Sequence, residues 1–263
     1  MFRPRSWPNT FFKSFLLFLS TCRPLHPIPS TSGSAFERDT LPVADFSWQD
    51  PIFQAESLRK AFVSYAKPRV GWLRVKATYR YRETRMEGSA WYWKEPGLWV
   101  SCAHLFPHDN PQTLEIELWD AYGNCRVLQR PWRDSLADVA FLRDTHAVGF
   151  VKSEVSSEVG DWCFTMGAPL GLSFSFQEGY VVAERRIEGQ SYYQLTFWAA
   201  PGSSGSPVLN RSGHVIAMIA QIAPVGSNDL GIAFALPVQR VLEAYRRYST
   251  FVRHDSSRAH PGN

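Results

Sequence analysis

The sequence has few charged residues, few cysteines and no block of like charge. Charged residues make up 20% of the 263 residues and aromatic residues 14%, a composition that excludes a disordered chain. No C-x-x-C motif occurs among the 4 cysteines, which argues against a structural zinc site or a redox motif. The net charge of +4 is not concentrated in one segment, so it gives little support to a nucleic-acid partner. The 17 glycines and 18 prolines indicate many turns and disfavour an all-helical bundle.

The amino-terminal segment has the features of an export signal. Basic residues precede a short apolar run over 15–19, which is far below the ~20 residues needed to span a bilayer. We interpret residues 1–22 as a signal and the Pro- and Ser-rich residues 23–50 as a flexible linker. The sequence over 19–22 resembles a bacterial lipoprotein signal. Three alternatives stay open: a lipid anchor at Cys22, a cleaved secretory signal, and an apolar stretch that is never cleaved.

The rest of the chain is mainly β in character. Apolar residues at helical spacing predict one helix over 51–66, which Pro68 follows. From Leu73 to Tyr81 apolar residues alternate with basic ones, as in a half-buried strand whose arginines lie on the solvated face. An apolar stripe predicts a last helix over 237–250, and we expect the polar residues 251–263 to be a disordered tail.

Three segments carry residues suited to nucleophilic catalysis. Ser204 lies in Pro-Gly-Ser-Ser-Gly-Ser-Pro, His104 follows an apolar strand, and Asp138 precedes another. Each has a plainer interpretation when it is taken alone: a Gly/Ser-rich hairpin loop, a surface or core histidine, and a turn aspartate. Together they gain weight, because a serine nucleophile needs a base and that base needs an acid to orient it. Their order in the chain excludes an α/β-hydrolase, in which the serine comes first.

The order of these residues and their flanking motifs resembles the trypsin-like serine peptidases of the chymotrypsin fold. Within that superfamily the chain is most similar to the bacterial HtrA/Deg group, and the likeness covers about residues 56–248. Further similar stretches lie at 68–75, 87–90, 159–172 and 231–237. The resemblance implies an all-β fold of two antiparallel β-barrels with a short N-terminal and a C-terminal helix.

This likeness also implies domain boundaries. We expect a peptidase domain over 51–250, with an N-terminal barrel over 67–145 and a C-terminal barrel over 146–236. The chain ends soon after the last helix, so we expect no PDZ domain behind it.

The resemblance further implies a role for each site residue. Ser204 is the expected nucleophile, His104 the base and Asp138 the acid that orients it. The backbone amides of Gly202, Ser203 and Ser204 form the expected oxyanion hole, and no metal or cofactor is required. The substrate pocket is expected to be lined by small or apolar residues and one amide: Trp198, Ala199, Ala200, Pro201, Ile219, Ala220 and Gln221. Trp198 has two interpretations that stay open, the pocket floor and ordinary core packing.

The function predicted from the sequence is that of an exported serine endopeptidase. It would act on polypeptides through an acyl-enzyme, in protein quality control, as a periplasmic, lipoprotein or secreted protein. The resemblance leaves a trimer open, and we expect no nucleic-acid partner. The alternative is a catalytically quiet binding or chaperone-like module, which would keep the fold motifs without using the three residues.

Overall fold

The computed structural model describes residues 51–94, 97–144, 149–150, 156–172, 174–220 and 232–259. Side chains are described for these residues except at 51–54 and 255–259. The chain divides into two units, Met1–Phe46 and Ser47–Asn263, and all described residues belong to the second. The expected signal over 1–22 with Cys22, and the linker over 23–50, lie outside the described residues.

The first half of the described chain forms a seven-stranded antiparallel sheet. Its strands are β1 (Val70–Thr78), β2 (Glu83–Trp93), β3 (Leu98–Ser101), β4 (Thr113–Trp119), β5 (Cys125–Val127), β6 (Trp132–Asp134) and β7 (Val139–Arg143). They are ordered β5-β4-β1-β2-β3-β7-β6. Alternate residues of β1 are buried, and its exposed Arg74 pairs with Glu117 of β4 at 3.2 Å. The arginines of this strand therefore belong to its solvated face.

The second half forms a closed six-stranded barrel. Its strands are β8 (Trp162–Gly167), β9 (Ser175–Ile187), β10 (Gln190–Trp198), β11 (Pro207–Leu209), β12 (Val215–Ile219) and β13 (Ile232–Pro237). They close in the order β10-β13-β12-β11-β8-β9. The prediction of an all-β fold is confirmed, and of the two expected antiparallel barrels one is closed. The second lobe is the closed barrel, and the first is the seven-stranded sheet described above.

Two helices flank the β lobes in the described chain. The first, α1, covers Pro51–Ala66, and the second, α2, covers Val238–Ala259. Among the described residues no helix has both the length and the apolar character needed to cross a membrane.

The expected end of the last helix at 250, with a disordered tail from 251, is wrong. The helix α2 continues to Ala259, and Val252 packs against the hydrophobic core. Thr250 also donates its hydroxyl to the Arg246 carbonyl one turn earlier at 3.0 Å. The polar composition of residues 251–263 therefore gave no indication of the Val252 contact with the core.

The helix α2 closes the first lobe through aromatic side chains. Trp132 and Phe141 stack with ring centroids 5.8 Å apart, and Tyr248 of α2 lies 5.4 Å from Phe141. Val241 and Ala244 of the same helix are fully buried. Full burial of one apolar side chain contributes about 1.5–3 kcal/mol to the stability of the fold. These buried and aromatic contacts therefore hold the helix α2 on the sheet.

Candidate active site

His104 lies on a turn at the end of a buried strand. All four residues of β3 are buried, and 103–105 then form one 3₁₀ turn. Ala103 and Leu105 point into the protein, whereas the His104 side chain between them is 36% exposed. Apolar residues on both sides of the histidine therefore direct its imidazole outward.

Asp138 ends the turn that joins β6 to β7, and its carboxylate contacts His104 twice. Its Oδ1 accepts the backbone N–H of His104 at 2.9 Å, and its Oδ2 lies 2.8 Å from His104 Nδ1. A carboxylate can only accept, so Nδ1 carries the proton and Nε2 keeps its lone pair. The backbone of Asp138 has φ +55°, a left-handed conformation that Asp tolerates better than most residues.

Ser204 lies in a sharp turn between β10 and β11. The flanking Gly202 and Gly205 have φ of +95° and +90°, in the left-handed region that favours glycine. A side chain at Gly205 would place a Cβ 1.9 Å from the Ser89 carbonyl oxygen. The glycines therefore fix the shape of this loop, and Ser204 itself is almost fully buried.

The histidine and serine segments meet at a shared acceptor. The carbonyl oxygen of Ile219 accepts the Cys102 thiol at 3.4 Å and the Gly205 N–H at 2.8 Å. One donor precedes His104 by two residues, and the other follows Ser204 directly. The structure thus brings the three predicted side chains to neighbouring segments, with His104 and Asp138 in direct contact.

The cluster of Cys102, His104 and Asp138 also raises the question of a metal, because its ligand atoms lie within 4.8 Å of one another. Burial, and then the Asp138 charge, raises the pKa of the Cys102 thiol well above its ordinary value. Metals bind the thiolate, and His104 Nδ1 is already paired with Asp138. The donor set therefore fits proton transfer better than metal binding.

The directions of the Gly202 and Ser204 N–H groups follow from the hydrogen bonds of the preceding carbonyl groups. The Pro201 carbonyl accepts the Leu170 N–H at 2.6 Å, and the Ser203 carbonyl accepts the Ser206 N–H at 3.0 Å. In a trans peptide the N–H points opposite to the C=O. The N–H groups of Gly202 and Ser204 thus lie on the faces opposite to these two contacts.

The expected oxyanion role of the Ser203 N–H does not hold in this structure. That N–H donates to the Ala200 carbonyl at 2.9 Å, and the Ser203 hydroxyl accepts the Ala200 N–H at 3.1 Å. Both contacts close the turn on itself, which uses up the donor.

The residues expected to line the substrate pocket differ in their access to solvent. Trp198 is 49% exposed, so its interpretation as a core residue is wrong. Pro201 is exposed and Ala199 is half-buried, while Ala200, Ile219 and Ala220 are buried. The Ala220 N–H donates to the Phe234 carbonyl at 3.0 Å and is therefore not free to pair with a substrate strand. Gln221 lies outside the described residues.

Ser89 lies in the 87–90 stretch that resembles the family, but the sequence analysis gave it no role in the site. Its buried hydroxyl donates to the Gly202 carbonyl at 2.9 Å and accepts the Ala168 N–H at 2.9 Å. Its own N–H donates to the Ser204 carbonyl at 2.8 Å. The available signal was a pair of small residues, Ser89 and Ala90, immediately before the aromatic end of β2.

Comparison with known proteins finds a family model, relatives and a solved structure that resemble this chain. Residues 88–218 match the family model of the trypsin-like peptidase domain. A probable periplasmic serine endoprotease, DegP-like, of Pseudomonas savastanoi pv. phaseolicola is 31% identical over 171 residues, which cover 62% of this chain and 35% of that protein. A protein of the same description from Rhizobium meliloti is 29% identical over 162 residues, 58% of this chain and 31% of the relative. The chain thus spans about a third of the length of these relatives.

A solved structure, the HtrA-type protease AlgWS227A with tripeptide, superposes with a TM-score of 0.58 at 22% sequence identity. The match covers 70% of this chain and 61% of that one, and it establishes the fold. Residues 88–218 are therefore similar to a trypsin-like peptidase domain, and the chain is similar to the DegP-like and HtrA-type proteases.

Proposed function

We propose that the protein is a serine endopeptidase whose reaction is carried out by Ser204, His104 and Asp138. The observation that carries the proposal is the double contact of Asp138 with His104, which fixes the histidine with Nε2 as the basic atom. A buried serine in a turn held by two left-handed glycines lies on the neighbouring segment. This combination suits acyl transfer, in which an oriented base activates a hydroxyl nucleophile.

In the proposed reaction the Ser204 hydroxyl attacks a peptide carbonyl while His104 Nε2 takes its proton. The resulting imidazolium is stabilised by Asp138, and it returns the proton to the leaving amine as the acyl-enzyme forms. Water then attacks the acyl-enzyme while His104 Nε2 takes its proton, and the imidazolium returns that proton to the Ser204 oxygen as the acyl–oxygen bond breaks and the acid is released. No metal or cofactor takes part in these steps.

The developing oxyanion is assigned to the N–H groups of Gly202 and Ser204. This assignment is supported by the direction of their peptides, whose carbonyls are bound on the opposite side by Leu170 and Ser206. Each donor of this kind contributes about 3 kcal/mol to lowering the barrier. The neighbouring Ser203 is left out because its N–H closes the turn on Ala200.

The proposed substrates are polypeptides outside the cytoplasm. The relatives are described as periplasmic endoproteases, which supports export of this chain. A part in protein quality control is proposed from the resemblance of the sequence motifs alone. Export as a lipoprotein would leave an acyl group on Cys22. Cleavage of a plain secretory signal would either remove Cys22 with the signal or leave Cys22 without an acyl group. Measurement of the intact mass of the exported protein distinguishes these routes. We propose cleavage after small or medium apolar residues, since the expected pocket residues contain no acid.

Digestion of casein and of a peptide library, with the Ser204→Ala variant run beside the wild type, tests the proposal. We expect cleavage by the wild type and none by the variant. Equal cleavage by the two proteins would contradict the proposal. Binding of unfolded casein without cleavage by the wild type would instead support the binding-module alternative.

A further inference from the structure

The turn that carries Asp138 is a short hairpin whose shape decides where the carboxylate points. Residues 135–138 join β6 to β7, and the pair Asp134–Val139 closes the base of the hairpin. Asp138 is the last residue of the turn and the one in the left-handed region. A small change in the turn would therefore rotate the Asp138 side chain away from His104.

Asp134 organises this turn from within. Its Oδ1 accepts the backbone N–H groups of Leu136 at 3.1 Å and of Ala137 at 3.0 Å. Its side chain is only 8% exposed, and its Oδ2 lies 2.5 Å from the Nε of Arg247. A carboxylate so deeply buried requires a charged partner, which Arg247 supplies from the helix α2.

A second arginine of α2 reaches the same turn. The Nη2 of Arg240 donates to the Leu136 carbonyl at 2.9 Å, while its guanidinium lies over the Tyr192 ring at 5.4 Å. Residues 240 and 247 are two helical turns apart and so share one face of the helix. Two charged side chains from one helix face thus hold the carboxylate and the backbone of the hairpin turn.

The docking of α2 does not depend on these charges. Its buried residues Val241, Ala244 and Tyr248 pack against the core, and Arg143 of β7 donates to the Tyr248 hydroxyl at 2.9 Å. Because the Asp134 side chain is only 8% exposed, loss of Arg247 would leave a nearly buried carboxylate without its cation, and this cost falls on the turn that Asp134 organises. The two arginines accordingly affect the turn more than they affect the attachment of the helix.

We propose that Arg240 and Arg247 of the helix α2, together with Asp134, are positioning residues that keep Asp138 aimed at His104. The proposal deepens the proposed function and rests on it. None of the three touches a reacting atom; each acts through the turn that bears Asp138. The face of α2 that carries Arg240 and Arg247 thereby supports the turn of Asp138 from outside the reacting groups.

The test compares Arg247→Met, Arg240→Met and Asp134→Asn with the control Tyr248→Phe. Methionine keeps an unbranched apolar stem, and phenylalanine keeps the aromatic contacts of Tyr248 while removing its hydroxyl contact with β7. The first readout is the second-order rate of fluorophosphonate labelling. We expect it to fall about 10- to 100-fold in the first three variants, the range for a small misplacement of a reacting group, and to stay within about twofold of wild type in the control.

Two further readouts separate positioning from simple destabilisation. The proton that His104 Nδ1 donates to Asp138 is followed as a low-field resonance by proton NMR. We expect that resonance to be lost or moved upfield in the first three variants and kept in Tyr248→Phe. For a cleaved peptide, kcat falls and KM stays unchanged, because the substrate contacts are not altered.

The outcomes distinguish failure of the positioning role from failure of the proposed peptidase function. Wild-type labelling rates and an unchanged low-field resonance in all three variants would overturn the positioning role, even if their melting temperatures fall. A wild-type protein that takes no label would refute the proposed function instead. The resonance of the His104–Asp138 pair would then still decide whether α2 positions Asp138.

Discussion

Replacing Ser89 by alanine tests whether the first lobe holds the nucleophile loop in shape. The Ser89 hydroxyl joins two buried backbone groups, the Gly202 carbonyl and the Ala168 N–H, each at 2.9 Å. In Ser89→Ala both groups lose their partner while the backbone contact from Ser89 to the Ser204 carbonyl remains. The change therefore removes one hydroxyl without removing the strand that carries it.

The size of the effect follows from these two groups. A buried polar group without a partner costs about 1–3 kcal/mol, so the free energy of unfolding should fall by about 2–6 kcal/mol. Entry of a water molecule into the vacated space would bring the loss towards the lower value. If the Gly202 peptide turns, its oxyanion donor is also lost, which lowers the labelling rate about 10²- to 10³-fold.

Urea unfolding and fluorophosphonate labelling measure both effects. Ser249→Ala is the matched control, because its hydroxyl donates to the Tyr245 carbonyl within α2, away from the proposed site. We expect that control to change stability by less than about 0.5 kcal/mol. A Ser89→Ala protein that matches the control in both measurements would refute the reasoning.

Three further predictions concern the same lobes. In Gly205→Ala the new Cβ would lie 1.9 Å from the Ser89 carbonyl oxygen, so the variant should unfold at a urea concentration far below that of the wild type. In the control Gly189→Ala nothing lies within 4 Å of the new Cβ, so its free energy of unfolding should fall by only about 1–3 kcal/mol, because of the positive φ. Burial raises the pKa of the Cys163 thiol from 9.0 to about 12. The unfolded chain therefore loses this proton first as the pH rises above 9, and stability should fall by about 1.4 kcal/mol between pH 8 and 10 relative to Cys163→Ala. Equal slopes for the two proteins in urea titrations would contradict this. In Asp138→Asn the labelling rate should fall about 10⁴-fold with little change in melting temperature, and a fall of less than about tenfold would contradict the role of the acid.

The β lobes were accessible from sequence because burial follows a simple period. Alternation along β1 predicted a strand with arginines outside, and the structure places Arg74 among glutamates of the neighbouring strands. The last helix was harder to bound. The helix continues past residue 250, where Val252 packs against the core, a contact between elements that no local pattern records.

The proposed site was accessible from sequence only in part. The segments of His104, Asp138 and Ser204 could be named, because each lies beside an apolar strand with a small or turn-forming neighbour. The engagement of the Ser203 N–H could not, since it depends on the φ and ψ angles of a single turn. The role of Ser89, within the recognised stretch 87–90, was missed because its hydroxyl acts on a loop more than a hundred residues away.

The most direct test of the account is to identify the residue that a fluorophosphonate modifies. The wild-type protein is labelled, digested and mapped by mass spectrometry, beside Ser204→Ala and His104→Ala. The account predicts a single adduct on Ser204 that is absent from the first variant and strongly reduced in the second. An adduct on another serine, or undiminished labelling of Ser204→Ala, would contradict it.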